Sequence, residues 1–218
     1  MFEKAITFKA SERYLKNCKD IYPVPAKSNI PEWFKKLEHG FGESTVKGCI
    51  PFLDTLIAGY ILKMPVEYRV EHNVDTDGIK NTGFESSQKN SFFRNEININ
   101  YDKNKTMHQS KQFVGSPFVE KNKNLPIHKI MNPWIIKTPP GYSCLFVPPL
   151  NNHDDRFEII PGIVDTDTYD QEINFPILFN GDKYPVLKTV IKRGTPYVQI
   201  IPFKRDKWKM KIKGFTVE

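Results

Sequence analysis

Apolar and polar residues change places in short runs along most of the chain, and Pro, Gly, Asn and Asp cut the runs apart. Four segments rich in apolar and β-branched residues follow one another near the C-terminal end, at 134–147, 156–164, 172–179 and 189–203. Short strands spaced by turn clusters predict an antiparallel β-sandwich or jelly-roll-like barrel. In the last segment Val198 and Ile200 alternate with Gln199 and Ile201. One strand face is then apolar, and Gln199 can tie neighbouring strands or subunits. Gly194 stands where a two-residue hairpin turn would place it. Gly141 and Gly162 stand where tight turns or close backbone approach are needed.

Upstream, 2–8 reads as a first strand. The X-Pro steps at Pro23 and Pro25 hold the chain extended. A short helix over 31–38 follows, with Asn29 as its cap, Pro31 in its first turn and Trp33, Phe34 and Leu37 on one side as a core anchor. A second helix over 51–59 has Pro51 in its first turn and Phe52, Leu53, Leu56 and Ile57 at helical spacing; Gly59 stops it. Residues 60–72 read as one long strand bent at Pro65. The polar stretch 73–90 is a hairpin connection or an exposed excursion. Its Asp75, Asp77 and Gly78 lack the spacing of a full calcium loop and read as a turn. Residues 91–100, with Phe93, Ile97 and Ile99, predict another strand. Residues 103–123 are polar, and His108 and His128 are isolated, which suits surface or hydrogen-bonding roles. No internal repeat occurs. The chain reads as one domain, 1–218, in which 1–130 is an elaboration wrapped on a β core at 134–203, followed by a basic tail at 204–218.

Charge changes this picture only locally. The formal net charge is +7, carried mostly by lysines spread along the chain, which describes a solvated surface more than a nucleic-acid groove. Cys18, Cys49 and Cys144 show no metal spacing and no disulfide framework, and a reducing compartment fits them. The N-terminal residues form no signal-peptide pattern, and no window approaches a membrane span. Neither a cofactor nor a membrane partner is therefore expected.

Two clusters carry candidate chemistry. His153, Asp154 and Asp155, with Asp165, Asp167, Asp170 and Glu172, make an acidic patch. Clustered oxygens suit Mg²⁺ or Ca²⁺, so Asp154, Asp155, Asp165 and Asp167 are candidate ligands, weighed against solvated turns between strands. The tail supplies Lys204, Arg205, Lys207, Lys209, Lys211 and Lys213 as candidate binding residues. In an extended chain Trp208, Met210 and Ile212 fall on one face and the lysines on the other. Such a segment can meet phosphate backbones or an acidic protein surface, or it can be an edge strand protected by lysine.

The motifs in 134–203 resemble the dUTPase and dCTP-deaminase superfamily. Thr138-Pro-Pro-Gly-Tyr142 resembles its Pro-Gly turn, Gly162-Ile-Val-Asp165 through Tyr169 to Ile173 its aspartate motif, and Gly194 through Gln199-Ile-Ile201 its last signature. The resemblance implies a dUTPase-like fold and a homotrimer. It also implies a rearranged deoxynucleotide site at Asp165, Tyr169 and Glu172, using Mg²⁺, if the chain is an enzyme. The phosphate-gripping Pro-Arg-Ser-Gly run is replaced by Pro148-Pro149-Leu150-Asn151, and the glycine-rich lid is replaced by the basic tail. Losing a bidentate arginine, its serine and the lid removes most of the apparatus for phosphoryl chemistry.

Over the whole chain, the Ile30-Pro-Glu-Trp33 opening, Asn132-Pro-Trp134, Pro139-Pro-Gly-Tyr-Ser143 and Ile201-Pro-Phe-Lys-Arg-Asp-Lys-Trp208 resemble an uncharacterised family of phage and environmental bacterial proteins. The expectation is a non-catalytic structural or assembly protein, a decoration or accessory component of a virion, found in the virion or the host cytoplasm among other virion proteins. An enzyme on deoxynucleotides and a nucleotide- or protein-binding regulator are the alternatives, and nucleic acid is a possible but less favoured partner.

Overall fold

The computed structural model describes residues 4–38, 45–74, 83–86 and 107–214. The expected strand at 91–100 and the Asp75–Asp77 turn lie outside them. The protein is mainly β, and among the described residues it has several antiparallel sheets and no closed barrel.

Fourteen strands and four α-helices are described. The strands are β1 (Thr7–Lys9), β2 (Val24–Pro25), β3 (Tyr60–Lys63), β4 (Tyr68–Asn73), β5 (Gly83–Ser86), β6 (Met107–His108), β7 (Ile127–Ile130) and β8 (Ile135–Lys137). They continue with β9 (Tyr142–Val147), β10 (Phe157–Ile159), β11 (Gly162–Val164), β12 (Phe175–Phe179), β13 (Val186–Ile191) and β14 (Pro196–Lys204). The helices are α1 (Glu12–Asn17), α2 (Glu32–Lys36), α3 (Ile50–Ile57) and α4 (Pro117–Asn122). A five-stranded sheet runs β11-β9-β14-β3-β2 and a four-stranded sheet β10-β12-β7-β6. The smaller sheets are β13-β4-β5 and β1-β8.

Apolar runs that read as single strands are divided between sheets at proline or glycine corners. Residues 60–72 break at Pro65 into β3 and β4, which belong to different sheets, so no single bent strand forms. Residues 156–164 break the same way at Pro161 into β10 and β11. Proline lacks the N–H that a ladder needs, so the chain leaves one sheet there and enters another. Gly194, at φ +85°, joins β13 to β14, but the two strands do not pair as a hairpin. Instead β13 pairs with β4, and β14 with β9 and β3. Ladder bonds from Met64 N to Thr195 O (2.7 Å) and Gly194 N to Met64 O (2.9 Å) hold this corner.

The core draws on all four sheets. Phe146 of β9 meets Phe175 of β12 with ring centroids 5.4 Å apart, joining the two larger sheets. Trp134 is the hub of the N-terminal side: Phe8, Tyr14 and Tyr22 all meet it edge-on, at 6.4, 5.2 and 5.6 Å. Asn132 is fully buried two residues before it, and its Nδ2 donates to Trp134 O at 2.9 Å. The Asn-Pro-Trp motif thus sets the turn that delivers the indole to the core.

Several sequence expectations need correction. The first strand is only β1, and Thr7 to Lys9 pair with β8. The first helix expected is α2, shorter than 31–38. Pro31, not Asn29, occupies its cap position, because 26–29 already form a 3₁₀ turn. Phe34 is buried but Trp33 remains 47% exposed, its ring edge-on to Phe34 and Phe52. The second expected helix is α3, with Pro51 in its first turn as anticipated. Helices α1 and α4 and strand β7 were not anticipated from the sequence; α4 lies within the stretch 103–123 read as polar.

Gly59 is more than a helix stop. It adopts φ +69°, and a Cβ there would lie 1.9 Å from Ile200 O, so only glycine lets α3 end against β14.

Candidate functional site: a basic arm on a clamped root

Strand β14 ends at Lys204, and every residue from there to Gly214 is exposed. The edge-strand reading of the tail is therefore corrected: among the described residues, 205–214 belong to no sheet. Trp208, Met210 and Ile212 are 89, 87 and 87% exposed. Three large apolar side chains alternating with Lys207, Lys209, Lys211 and Lys213 form an arm of about 20 Å if extended, at about 3.3 Å per residue. Lys204 is paired with Asp206 at 2.7 Å, so it belongs to the root and not to the free charge of the arm.

The root is fixed by Arg205. Its backbone N–H donates to Gly141 O at 2.9 Å. Its guanidinium donates to Ser143 Oγ at 2.9 Å, to Tyr142 O at 3.2 Å and to both carboxylate oxygens of Asp167, and it lies 3.1 Å from Asp165 Oδ1. Asp167 also accepts the Gly141 N–H at 2.8 Å. The Arg205 guanidinium, helped by that N–H, holds the Asp167 carboxyl well below the usual carboxylate range. Gly141 takes φ +82°, which turns its N–H and C=O toward these two partners.

Three sequence motifs that are far apart in the chain meet here. Strands β11, β9 and β14 lie side by side, so the ends of the aspartate, Pro-Gly-Tyr-Ser and Lys-Arg-Asp motifs converge. Lys137 completes the cluster: its Nζ donates to Asp167 O and Tyr169 O, each at 3.1 Å, and to Asp170 Oδ1 at 2.6 Å. Thr166 is buried below them. Its hydroxyl lies 2.7 Å from Thr138 Oγ1 and donates to Cys144 Sγ at 3.4 Å. Sequence reading missed Lys137, Ser143 and Thr166, because each acts through partners distant in the sequence.

The other candidates are spread out. Asp165 also accepts from Ser143 Oγ at 2.6 Å. Tyr169 closes a turn through its backbone N–H onto Asp165 O at 2.9 Å, and its side chain is exposed. Glu172 lines a separate cavity of about 150 Å³ with Lys9, Ser11, Tyr14 and Ile135. Asp154 is gripped by Arg156 through Nε at 2.9 Å and Nη2 at 2.6 Å. Asp155 pairs with Lys183 and accepts from the Tyr184 hydroxyl at 2.8 Å. Asp154, Asp155, Asp165 and Asp167 thus form two separate sets of ion pairs. Among the described residues no group of three or more His, Cys, Asp or Glu side chains could hold a metal ion. Nor does any helix of the described residues have the length and apolarity to cross a membrane.

Gln199, 1% exposed, fixes the end of the β9–β14 ladder opposite the root. Its amide donates to Thr55 O at 2.8 Å and Ala58 O at 2.7 Å, and its Oε1 accepts from Leu150 N at 2.8 Å. It ties α3 and the 148–151 turn to β14. No protein-family model, curated protein or solved structure matches the chain.

Proposed function

We propose that this protein is a non-catalytic structural or assembly component that attaches to its surroundings through the C-terminal arm. The observation that carries this reading is the arm itself: three large apolar side chains almost wholly in water, interleaved with four lysines, on a root clamped by Arg205. A solvated tail gains nothing from Trp208, Met210 and Ile212, whereas an attachment strand does, because burying each on a partner is favourable by about 1.5–3 kcal/mol. A virion setting, as a decoration or accessory protein, is part of the proposal and rests on the phage-protein motifs, two of which build the Trp134 hub and the arm root.

The proposal retains a dUTPase-type scaffold over 134–203, and with it a homotrimer. Its support is the adjacency of β11, β9 and β14, which bear the three motif segments. Deoxynucleotide chemistry at Asp165, Tyr169 and Glu172 is less well supported. Asp165 is engaged by Ser143 and Arg205, and Glu172 lines a cavity with other residues.

Mass spectrometry of purified particles tests the setting. The protein should be present in stoichiometric amounts, and its absence would count against the virion reading. Incubation with dUTP and dCTP plus Mg²⁺ should give no turnover. Turnover abolished by Asp165→Asn would overturn the non-catalytic reading.

A further inference from the structure

The arm has a matching surface on the sheet from which it departs. Strand β11 is the end strand of the five-stranded sheet, and among the described residues no strand lies beyond it. Ile163 is 63% exposed at its centre. The register places Ile163 opposite Leu145 and Leu145 opposite Ile201, so the three form one row across β11, β9 and β14. This row lies on the sheet face opposite Cys144, Phe146, Val198 and Ile200, which point into the core. Farther along that face Gln199 is covered by α3, but Leu145 and Ile201 are only half-buried.

An open strand edge beside an apolar row is a template for one more strand. Here the edge strand has no lysine or proline within it to block pairing. The turn that follows β11 carries Asp165, Asp167, Asp170 and Glu172 against three in-chain cations, Arg205, Lys137 and Lys9. It therefore keeps a net negative charge next to the open edge. The arm brings the complementary properties: an apolar stripe at strand spacing and four lysines that make no ion pair among the described residues.

Resting on the attachment reading above, we propose that the arm's partner is a second copy of this chain. Residues 207–213 of one copy add as a strand to the free edge of β11 in the next. Trp208, Met210 and Ile212 extend the Ile163–Leu145–Ile201 row, and the lysines meet the acidic turn. Each copy supplies one arm and one β11 edge, so the contact is heterologous unless two copies exchange arms. Head-to-tail repetition gives a ring where the rotation between copies closes and an open filament where it does not.

Sedimentation analysis of the full chain and two variants tests this. Trp208→Ser/Met210→Ser/Ile212→Ser removes the arm's stripe, and Ile163→Lys blocks the edge. Both alter exposed positions, so the fold is retained. Wild type should associate with increasing concentration, and each variant should weaken association by at least about 30-fold, the scale of one hot-spot side chain. An equimolar mixture of the two variants should regain association, because one supplies an intact edge and the other an intact arm. In a Cys49→Ser background, Ile163→Cys protein mixed with Met210→Cys protein should form a disulfide-linked pair under mild oxidation. A wild-type monomer at about 100 µM would overturn the proposal, as would association that neither variant changes. If the arm variant detaches from particles while Ile163→Lys remains bound, self-pairing falls and attachment through the arm stands.

Discussion

Gln199 offers the sharpest test of how α3 is held to the sheet. Its buried amide satisfies three backbone groups: the carbonyls of Thr55 and Ala58 in the last turn of α3, and the N–H of Leu150. A helix end leaves its last carbonyls without intrahelical partners, so these two depend on the side chain. Gln199→Leu keeps the volume and removes all three bonds. Each unsatisfied buried group costs about 1–3 kcal/mol, and partial access of water to the 148–151 turn favours the low end. We therefore predict a loss of about 3–5 kcal/mol. At about 2–4 °C per kcal/mol for a chain of this size, Tm should fall by roughly 6–20 °C. Gln199→Glu gives a second signature. A carboxylate cannot donate to Thr55 O or Ala58 O, so its folded-state pKa is raised above the unfolded value. A group raised in this way favours the fold at low pH and disfavours it as pH rises, so the deficit of this variant should shrink between pH 7 and pH 5. Urea unfolding followed by fluorescence of the buried Trp134 measures both effects. A loss below about 1 kcal/mol for Gln199→Leu with an unchanged m-value would falsify the claim that this amide holds α3 to the sheet.

Three further predictions follow from particular contacts. Gly59→Ala should cost more than about 2 kcal/mol, because φ +69° is strained for alanine and its Cβ would meet Ile200 O; a loss under about 1 kcal/mol in the same assay would contradict the close approach. His128 has its pKa pushed down to about 4 by burial. The unfolded chain therefore binds the proton first as pH falls, and about 2–3 kcal/mol of stability should be lost between pH 6.5 and pH 4. His128→Gln should flatten that part of the pH profile, and an unchanged slope would refute the assignment. Arg205→Ala should free the arm root and speed tryptic cleavage within 204–213 by about tenfold, with the core transition little changed. Because Asp167 is held below its usual range, protection of the root should persist at pH 4 and fail only in stronger acid. Equal cleavage rates for variant and wild type would show that the clamp does not order the root.

Much of the β character was legible in the sequence, because a period of two and frequent turn residues are local properties. The alternation in 196–204, the proline in the first turn of α3 and the glycine that ends it need no knowledge of distant residues. The arm's two faces are likewise written in Lys207 to Lys213. What the sequence could not decide was where each strand finds its partner. Pro65, Pro161 and Gly194 announce breaks, but only the packed sheets determine that the chain changes sheet at each one. The same holds for the candidate site. Asp167 reads as one carboxylate in an acidic run until the register of β9, β11 and β14 brings Arg205 and the Gly141 N–H to it. Lys137 and Ser143 carry no local signal at all, since their roles depend on residues some 20 to 60 positions away. Local pattern is set by side-chain size and backbone preference within a few residues, whereas the clamp and the open edge of β11 exist only once long-range pairing has chosen which strands are neighbours and which one is left last.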